Sequence, residues 1–340
     1  MRVWIDLSNS PHPLLFAPIA RRLEEGGHSV HVTVRDNAQT LQLARERFPT
    51  ITLIGGPAPA SRAGKARAIA GRVRTMTSWA RRHRVDVALS HNSYAQAVAA
   101  RGLGLPVVTA MDYEHQPANH LAFRLAHRIL LPSALPVDLV RGQGAVDSKV
   151  VVYPGLKEEL YLGDFTPDPG VLDAAGAPRD GGPLVVTRTP PAGASYHRMA
   201  NDPYYEGLRA VCRDGVRCVI LPRFPEQRKQ LLSLDLPGAV IPERAVDSRS
   251  LMYMADLVIG AGGTMTREAA LMGVPTASVY AGGIPAVEQA LEADGRIRRV
   301  ESPADLAPVR PRATEPRSLD ELRAASERQI DVWIDTVLKR

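Results

Sequence analysis

The sequence predicts an α/β protein of two doubly wound domains in series, each a parallel sheet covered by helices. Three observations carry that reading. Short apolar runs of strand length recur along the chain, each followed by a turn and a longer amphipathic stretch. A Pro- and Gly-rich stretch, 163–183, interrupts this alternation once before it resumes. The length of 340 residues exceeds what a single hydrophobic core usually serves.

In the first half the expected strands are 3–7, 30–34, 51–54, 85–90, 106–110, 129–131 and 150–153, with helical patterns in the gaps. Within 13–25, Leu14, Leu15, Ile19 and Leu23 share a face. Gly26-Gly27 ends that helix where a left-handed residue carries no steric penalty. The stretch 55–84 reads as a loop followed by a basic amphipathic helix with Lys65, Arg67, Arg72, Arg74, Arg81, Arg82 and Arg84, anchored by Trp79. It reads either as a solvated helix or as a surface for peripheral contact with an anionic membrane or an acidic acceptor.

After the break, expected strands 184–187, 217–221, 240–241, 257–259 and 276–279 alternate with helices 204–213, 226–234, 248–254 and 264–272. A second Pro-rich stretch, 303–316, precedes Ser318-Leu319-Asp320-Glu321, a capping-box pattern that should open a long helix. Its Leu322, Ile330, Trp333 and Val337 need a surface to cover, between the domains or against the first. The expected division is 1–162, a linker 163–183, a second domain 184–302, and a Pro-rich linker with a C-terminal helix, 303–340.

Hydrophobic residues make up 45% of the chain and charged residues 23%, a balance that excludes a disordered or collagen-like protein. The formal charge of +6 and pI near 9.5 raise nucleic-acid binding, but the basic residues are 37 Arg against 5 Lys, dispersed and without a basic tail. With aromatics at 5%, nucleic acid is not an expected partner. Cys212 and Cys218 suggest neither a disulfide framework nor a zinc site, so a reducing cytoplasm is the expected location. No signal-peptide pattern opens the sequence, and no run reaches the roughly 20 apolar residues of a membrane span.

The most informative segment runs from Met254 to Pro275. A buried strand ends in glycines, and a helix begins within a few residues. Gly262, Gly263, Thr264 and Met265 therefore aim backbone N–H groups and a positive helix end at one point, which suits a diphosphate. Glu268, one turn further on, is placed to accept from ribose hydroxyls. The alternative is a tight strand-to-helix turn with a surface glutamate.

The run from Gly262 to Pro275 resembles the nucleotide-sugar signature of GT-B glycosyltransferases, particularly the undecaprenyl-diphospho-muramoylpentapeptide N-acetylglucosaminyltransferases, matching at Gly262, Gly263 and Glu268. The UDP-N-acetylglucosamine 2-epimerases share that architecture. Trp4-Ile5-Asp6-Leu7-Ser8-Asn9-Ser10-Pro11-His12 and Asp112-Tyr113-Glu114-His115 are similar to an archaeal and bacterial family of GT-B-like proteins, a domain of unknown function, over most of the chain. The resemblance implies a GT-B fold: two Rossmann-like domains facing a central crevice, with a C-terminal crossover helix. It also implies a nucleoside-diphosphate-sugar donor such as a UDP-sugar, held by the second domain, and an acceptor of unspecified identity entering from the first. No metal and no further cofactor is implied.

His12 resembles the Gly-His-x-x-Pro turn of many GT-B enzymes, with Pro11 in place of the glycine. An imidazole at a sheet edge can take a proton from an acceptor hydroxyl or, when charged, bind phosphate. Asp112, Glu114 and His115 follow the strand 106–110. If the segment stays extended, Asp112 and Glu114 point to one side, close enough to raise one carboxyl into general-base range. The epimerases carry His-x-Glu at the comparable place, an order absent here. His91-Asn92-Ser93 reads either as acceptor-binding or as a helix cap through Asn92 or Ser93.

In the second half, Arg188 and Arg223 end or follow strands and can clamp a diphosphate with forked hydrogen bonds. Ser195-Tyr196-His197 adds polar groups to the loop after Arg188. The Asp-x-Gln-x-x-Asn-Ala pattern of the muramoylpentapeptide enzymes is absent, so N-acetylglucosamine is not implied as the sugar. The expected activity is metal-independent glycosyl transfer. The alternatives are a nucleotide-sugar 2-epimerase or hydrolase and a non-catalytic nucleotide-sugar-binding protein.

Overall fold

The computed structural model describes residues 1–37, 39–57, 61–190, 203–213, 215–280 and 282–339. The chain divides into two units, Met1–Asp164 with Arg323–Arg340, and Phe165–Leu322.

The first unit alternates strand and helix throughout: β1 (Arg2–Leu7), α1 (His12–Glu25), β2 (Ser29–Val34), α2 (Thr40–Arg47), β3 (Thr52–Leu53) and α3 (Arg62–His83). It continues with β4 (Val87–His91), α4 (Tyr94–Gly102), β5 (Val107–Ala110), α5 (Asn119–Leu125), β6 (Arg128–Pro132), α6 (Asp138–Arg141), β7 (Val150–Tyr153) and α7 (Glu159–Leu162). The seven strands are all parallel, in the order β3-β2-β1-β4-β5-β6-β7. The order reverses between β1 and β4, so the loops leaving those two strands diverge and open a crevice at their carboxyl ends.

β1 shows how the sequence fills both faces of the sheet. Val3, Ile5 and Leu7 join Leu15, Phe16, Ile19 and Leu23 of α1 in one core. The intervening Trp4 and Asp6 face α3, where the Trp4 and Trp79 rings lie 5.5 Å apart. Trp79 is buried and its Nε1 donates to Thr52 Oγ1 at 3.1 Å, so it anchors α3 as the sequence suggests. α1 is capped by Gly26, and Gly27 after it adopts φ 77°.

The second unit contains α8 (Val171–Ala175), β8 (Leu184–Arg188), α9 (Pro203–Val211), β9 (Arg217–Leu221), α10 (Pro225–Leu232), β10 (Ala239–Val240), α11 (Ser248–Met254), β11 (Leu257–Gly260), α12 (Thr264–Leu271), β12 (Thr276–Ser278), α13 (Ala286–Ala293) and β13 (Arg298–Arg299). Its six parallel strands run β10-β9-β8-β11-β12-β13, with the reversal between β8 and β11. Val185, Tyr204, Leu208, Ile220 and Ile259 lie at the centre of its core. β13 escapes the sequence reading because both of its residues are exposed arginines on an edge, without an apolar signal.

Both stretches expected as linkers carry structure. Residues 165–183 belong to the second unit and include α8, whose Val171, Leu172 and Ala175 are buried. The Pro-rich tail straps the same unit: Arg312 donates to the Tyr253 and Ala255 carbonyls, and Arg317 N–H donates to Met272 O at 2.8 Å. The final helix, α14 (Leu319–Leu338), opens on the expected capping box, with Glu321 N–H donating to Ser318 Oγ and Ser318 N–H to Glu321 Oε2. From Arg323 onward it belongs to the first unit. Trp333 is fully buried against Phe16 and Tyr153, and Ser326 Oγ donates to Leu160 O at 2.6 Å. Among the described residues no helix is long and apolar enough to cross a membrane.

Candidate functional site

At the β1/β4 reversal a buried carboxylate organises the first unit. Asp6 has no exposed surface and accepts hydrogen bonds from Thr33 Oγ1 at 2.7 Å, Ser8 Oγ at 2.9 Å and Ser93 Oγ at 2.5 Å. Arg72 closes the set, one terminal nitrogen reaching both oxygens at 2.8 and 2.9 Å while its Nε donates to Ile54 O. An ionised carboxylate survives burial only with such a complement. Arg72 is therefore not part of a solvated or membrane-facing basic surface, contrary to expectation. Ser93 heads α4 without a side-chain cap, because its hydroxyl is given to Asp6. Asn92 does not cap either: it sits at φ 53° and its amide donates to Asn119 Oδ1.

Beside this network lies a second cluster at the ends of β1, β4, β5 and β7. The His12 and His91 rings are 5.3 Å apart, and His91 Nε2 lies 3.2 Å from Asp112 Oδ1. Lys157 contacts the other Asp112 oxygen and reaches Glu158 Oε1 at 2.9 Å. All five side chains are buried. Burial pushes the His12 pKa well below its ordinary value, His91, Lys157 and Arg72 push in the same direction, and Asp112 opposes them. The ring is therefore neutral near pH 7. Ser8 N–H donates to His12 Nδ1 at 3.1 Å, which puts the ring proton on Nε2. His12 thus presents a donor at Nε2, whereas a general base acting through that atom needs the opposite tautomer.

The Asp112-to-His115 segment follows β5 at the sheet edge, and Asp112 and Glu114 are both buried there. Asp112 is ion-paired with Lys157. Glu114, also buried, has its Oε1 3.6 Å from Nε2 of the largely exposed His115. Asn119 Nδ2 donates to Tyr113 O, and Gln143 Nε2 donates to Glu114 O, so α5 and the loop after α6 hold the segment in place.

In the second unit the β8/β11 reversal brings together the residues that the nucleotide signature singles out. Gly260 ends β11 so close to α12 that an added Cβ would lie 1.9 Å from Thr266 Oγ1. Gly262 and Gly263 follow at φ 77° and 85°, positions that favour glycine. Thr264 and Met265 then open α12, where the first N–H groups of a helix have no intrahelical acceptor. Glu268 is buried on that helix and interacts electrostatically with Arg188 at the end of β8. The Arg188 guanidinium is largely buried, which lowers its pKa, and among the described residues its buried Nε has no hydrogen-bond partner. Arg223 is exposed and uses its Nε on Thr189 O at 2.8 Å, tying the two strand-end loops together. Ser195-Tyr196-His197 lies outside the described residues.

Four participants go beyond the candidates named from sequence: Asp6, Lys157, Glu158 and Glu288. Glu288 of α13 accepts the Gly263 N–H at 2.9 Å and lies 3.8 Å from Arg267, so one donor of the glycine turn already holds a carboxylate. Among the described residues no group of three or more His, Cys, Asp or Glu is arranged to hold a metal ion.

Comparison with known proteins agrees with this architecture. The chain is 30% identical to the uncharacterized protein MJ0665 of Methanocaldococcus jannaschii over 287 residues, 82% of this chain and 81% of that protein. Its structure is similar to that of UDP-GlcNAc 2-epimerase from Neisseria meningitidis bound to UDP-GlcNAc, with a TM-score of 0.69 and 14% identity, covering 100% of both chains. It is also similar to the spinosyn forosaminyltransferase SpnP, with a TM-score of 0.62 and 15% identity over 100% of this chain and 95% of the other. At such identities the likeness establishes the fold, that of the GT-B proteins. Residues 1–309 match the family described as protein of unknown function (DUF354), and the chain belongs to that family.

Proposed function

We propose that this protein is a nucleotide-sugar-dependent glycosyltransferase whose second unit holds the donor and whose first unit supplies the acid–base groups. The observation that carries the reading is the set at the β8/β11 reversal: the Gly262-Gly263 turn, the opening N–H groups of α12, and Arg188, whose buried Nε has no partner among the described residues, beside Glu268. Those donors suit a diphosphate, and they stabilise the charge that grows on it as a leaving group. Glu268 accepts from a ribose hydroxyl in this reading. The UDP-GlcNAc bound in the Neisseria enzyme is the kind of ligand the arrangement would take.

In the first unit His91, beside Asp112, is the group that receives the acceptor proton, and His12 donates a hydrogen bond from Nε2. His91→Gln should abolish transfer while leaving nucleotide binding unchanged.

The buried set of Asp112, Lys157 and Glu158 with two histidines supports a second reading, proton transfer on the donor sugar itself, as in a 2-epimerase or hydrolase. A panel of UDP-sugars incubated without acceptor separates the two. Unchanged donor, with sugar transferred once a suitable acceptor is added, supports transfer. Epimerised or free sugar supports the second reading. A thermal-shift screen of nucleotides and nucleotide sugars tests the premise of both, which fails if none stabilises the protein.

A further inference from the structure

The cavity beneath α3 is not used by either reading. It encloses about 560 Å³ within the first unit, in the size range of small-molecule sites. Its walls are residues that follow β1, β2, β3, β4 and β5, the start of α4, and the stretch of α3 from Lys65 to Thr75. Arg35, Lys65 and Arg72 line it, and among the described residues no aspartate or glutamate does. The Arg72 charge is spent on Asp6. Arg35 gives its Nε to Gly56 O at 3.1 Å, and among the described residues neither Arg35 nor Lys65 has a carboxylate partner. Two cations thus face one space without a counter-charge, a field that favours an anion.

The same cavity has an apolar side. Leu53 and Ile69, both exposed large hydrophobics, line it with Ile54 and Ala68. Ser8, whose N–H orients His12, and Asn92, which follows His91, line it as well. A ligand seated here would carry an anionic group for Arg35 and Lys65 and an apolar body for Leu53 and Ile69.

We propose that this cavity is a binding site for an amphiphilic phosphate, held by Arg35 and Lys65 at its anionic group and by Leu53 and Ile69 along its apolar body. Taking that ligand as the sugar acceptor rests on the transferase reading; the binding site itself does not. Arg35 offers a forked donor and Lys65 a mobile point charge, a pair suited to a phosphate oxygen set.

The test is calorimetric titration of the intact protein with octyl phosphate below its micellar concentration, with inorganic phosphate and octyl glucoside as separate arms. Octyl phosphate should bind at least about tenfold more tightly than either, because only it satisfies both walls. Arg35→Glu and Lys65→Glu should each weaken it by about tenfold or more while leaving UDP binding unchanged. Displacement by vesicles containing phosphatidic acid would identify a membrane lipid as the natural source, and undisturbed binding a soluble one; the site stands in either case. The proposal is overturned if octyl phosphate binds no better than octyl glucoside or phosphate, or if both charge reversals leave its affinity unchanged. UDP binding without octyl phosphate binding would remove the cavity assignment alone, and the converse would remove the transferase reading alone.

Discussion

The Gly263 N–H donates to Glu288 Oε1 at 2.9 Å, so the glycine turn that opens α12 already carries a carboxylate from α13. That carboxylate holds the turn and would repel the diphosphate of the proposed donor. Glu288→Gln keeps an oxygen acceptor for Gly263 and removes the charge. It should tighten UDP binding by about tenfold in calorimetry at physiological salt, roughly 1.4 kcal/mol. Weaker binding would mean that the charge is needed to shape the turn.

His12 predicts a pH dependence of stability. Its folded-state pKa lies well below its ordinary value, so between the two the unfolded chain binds the proton and the folded protein does not. Stability therefore rises with pH through that window and is lost as pH falls below the ordinary histidine range. His31 and His127 are shifted in the same direction and add to the slope. His12→Gln, whose amide oxygen can still accept the Ser8 N–H, should flatten the fall in urea midpoint between pH 7 and pH 5. An unchanged or steeper slope would count against a buried neutral imidazole.

The Asp6–Arg72 pair predicts a large and asymmetric cost. Asp6→Asn leaves the Arg72 guanidinium buried without its counter-charge and should destabilise the protein by about 3–5 kcal/mol. Asp6→Asn combined with Arg72→Met removes the stranded charge and should cost less than Asp6→Asn alone. Denaturant midpoints of Asp6→Asn, Arg72→Met and the double variant check this, and additive losses would show that the residues act independently.

These residues also mark where the sequence is readable. The parallel strands stand out because both faces of each sheet are covered, so runs such as Val3 to Leu7 read as continuously apolar. Asp6, inside that run, is the signal that a buried counter-charge must exist. Nothing in the spacing of an arginine-rich helix distinguishes Arg72, which turns inward, from Arg67 and Arg74, which do not. Lys157 and Glu158 left a trace, as charges between the buried Leu156 and Leu160 just after β7. Glu288 left none, because a glutamate in the first turn after Pro285 looks like an ordinary helix-start carboxylate. The reverse case is Ser93: its position satisfies the rule for a helix cap, yet a fully buried carboxylate is a stronger claimant for its hydroxyl than the end of α4.

The donor assignment is tested most directly by titrating UDP into the intact protein and into Arg188→Ala. The arrangement at the β8/β11 reversal predicts saturable binding that Arg188→Ala weakens by about tenfold to a hundredfold, the cost of losing a charge-assisted hydrogen bond. Absence of binding, or an affinity that Arg188→Ala leaves unchanged, would contradict it.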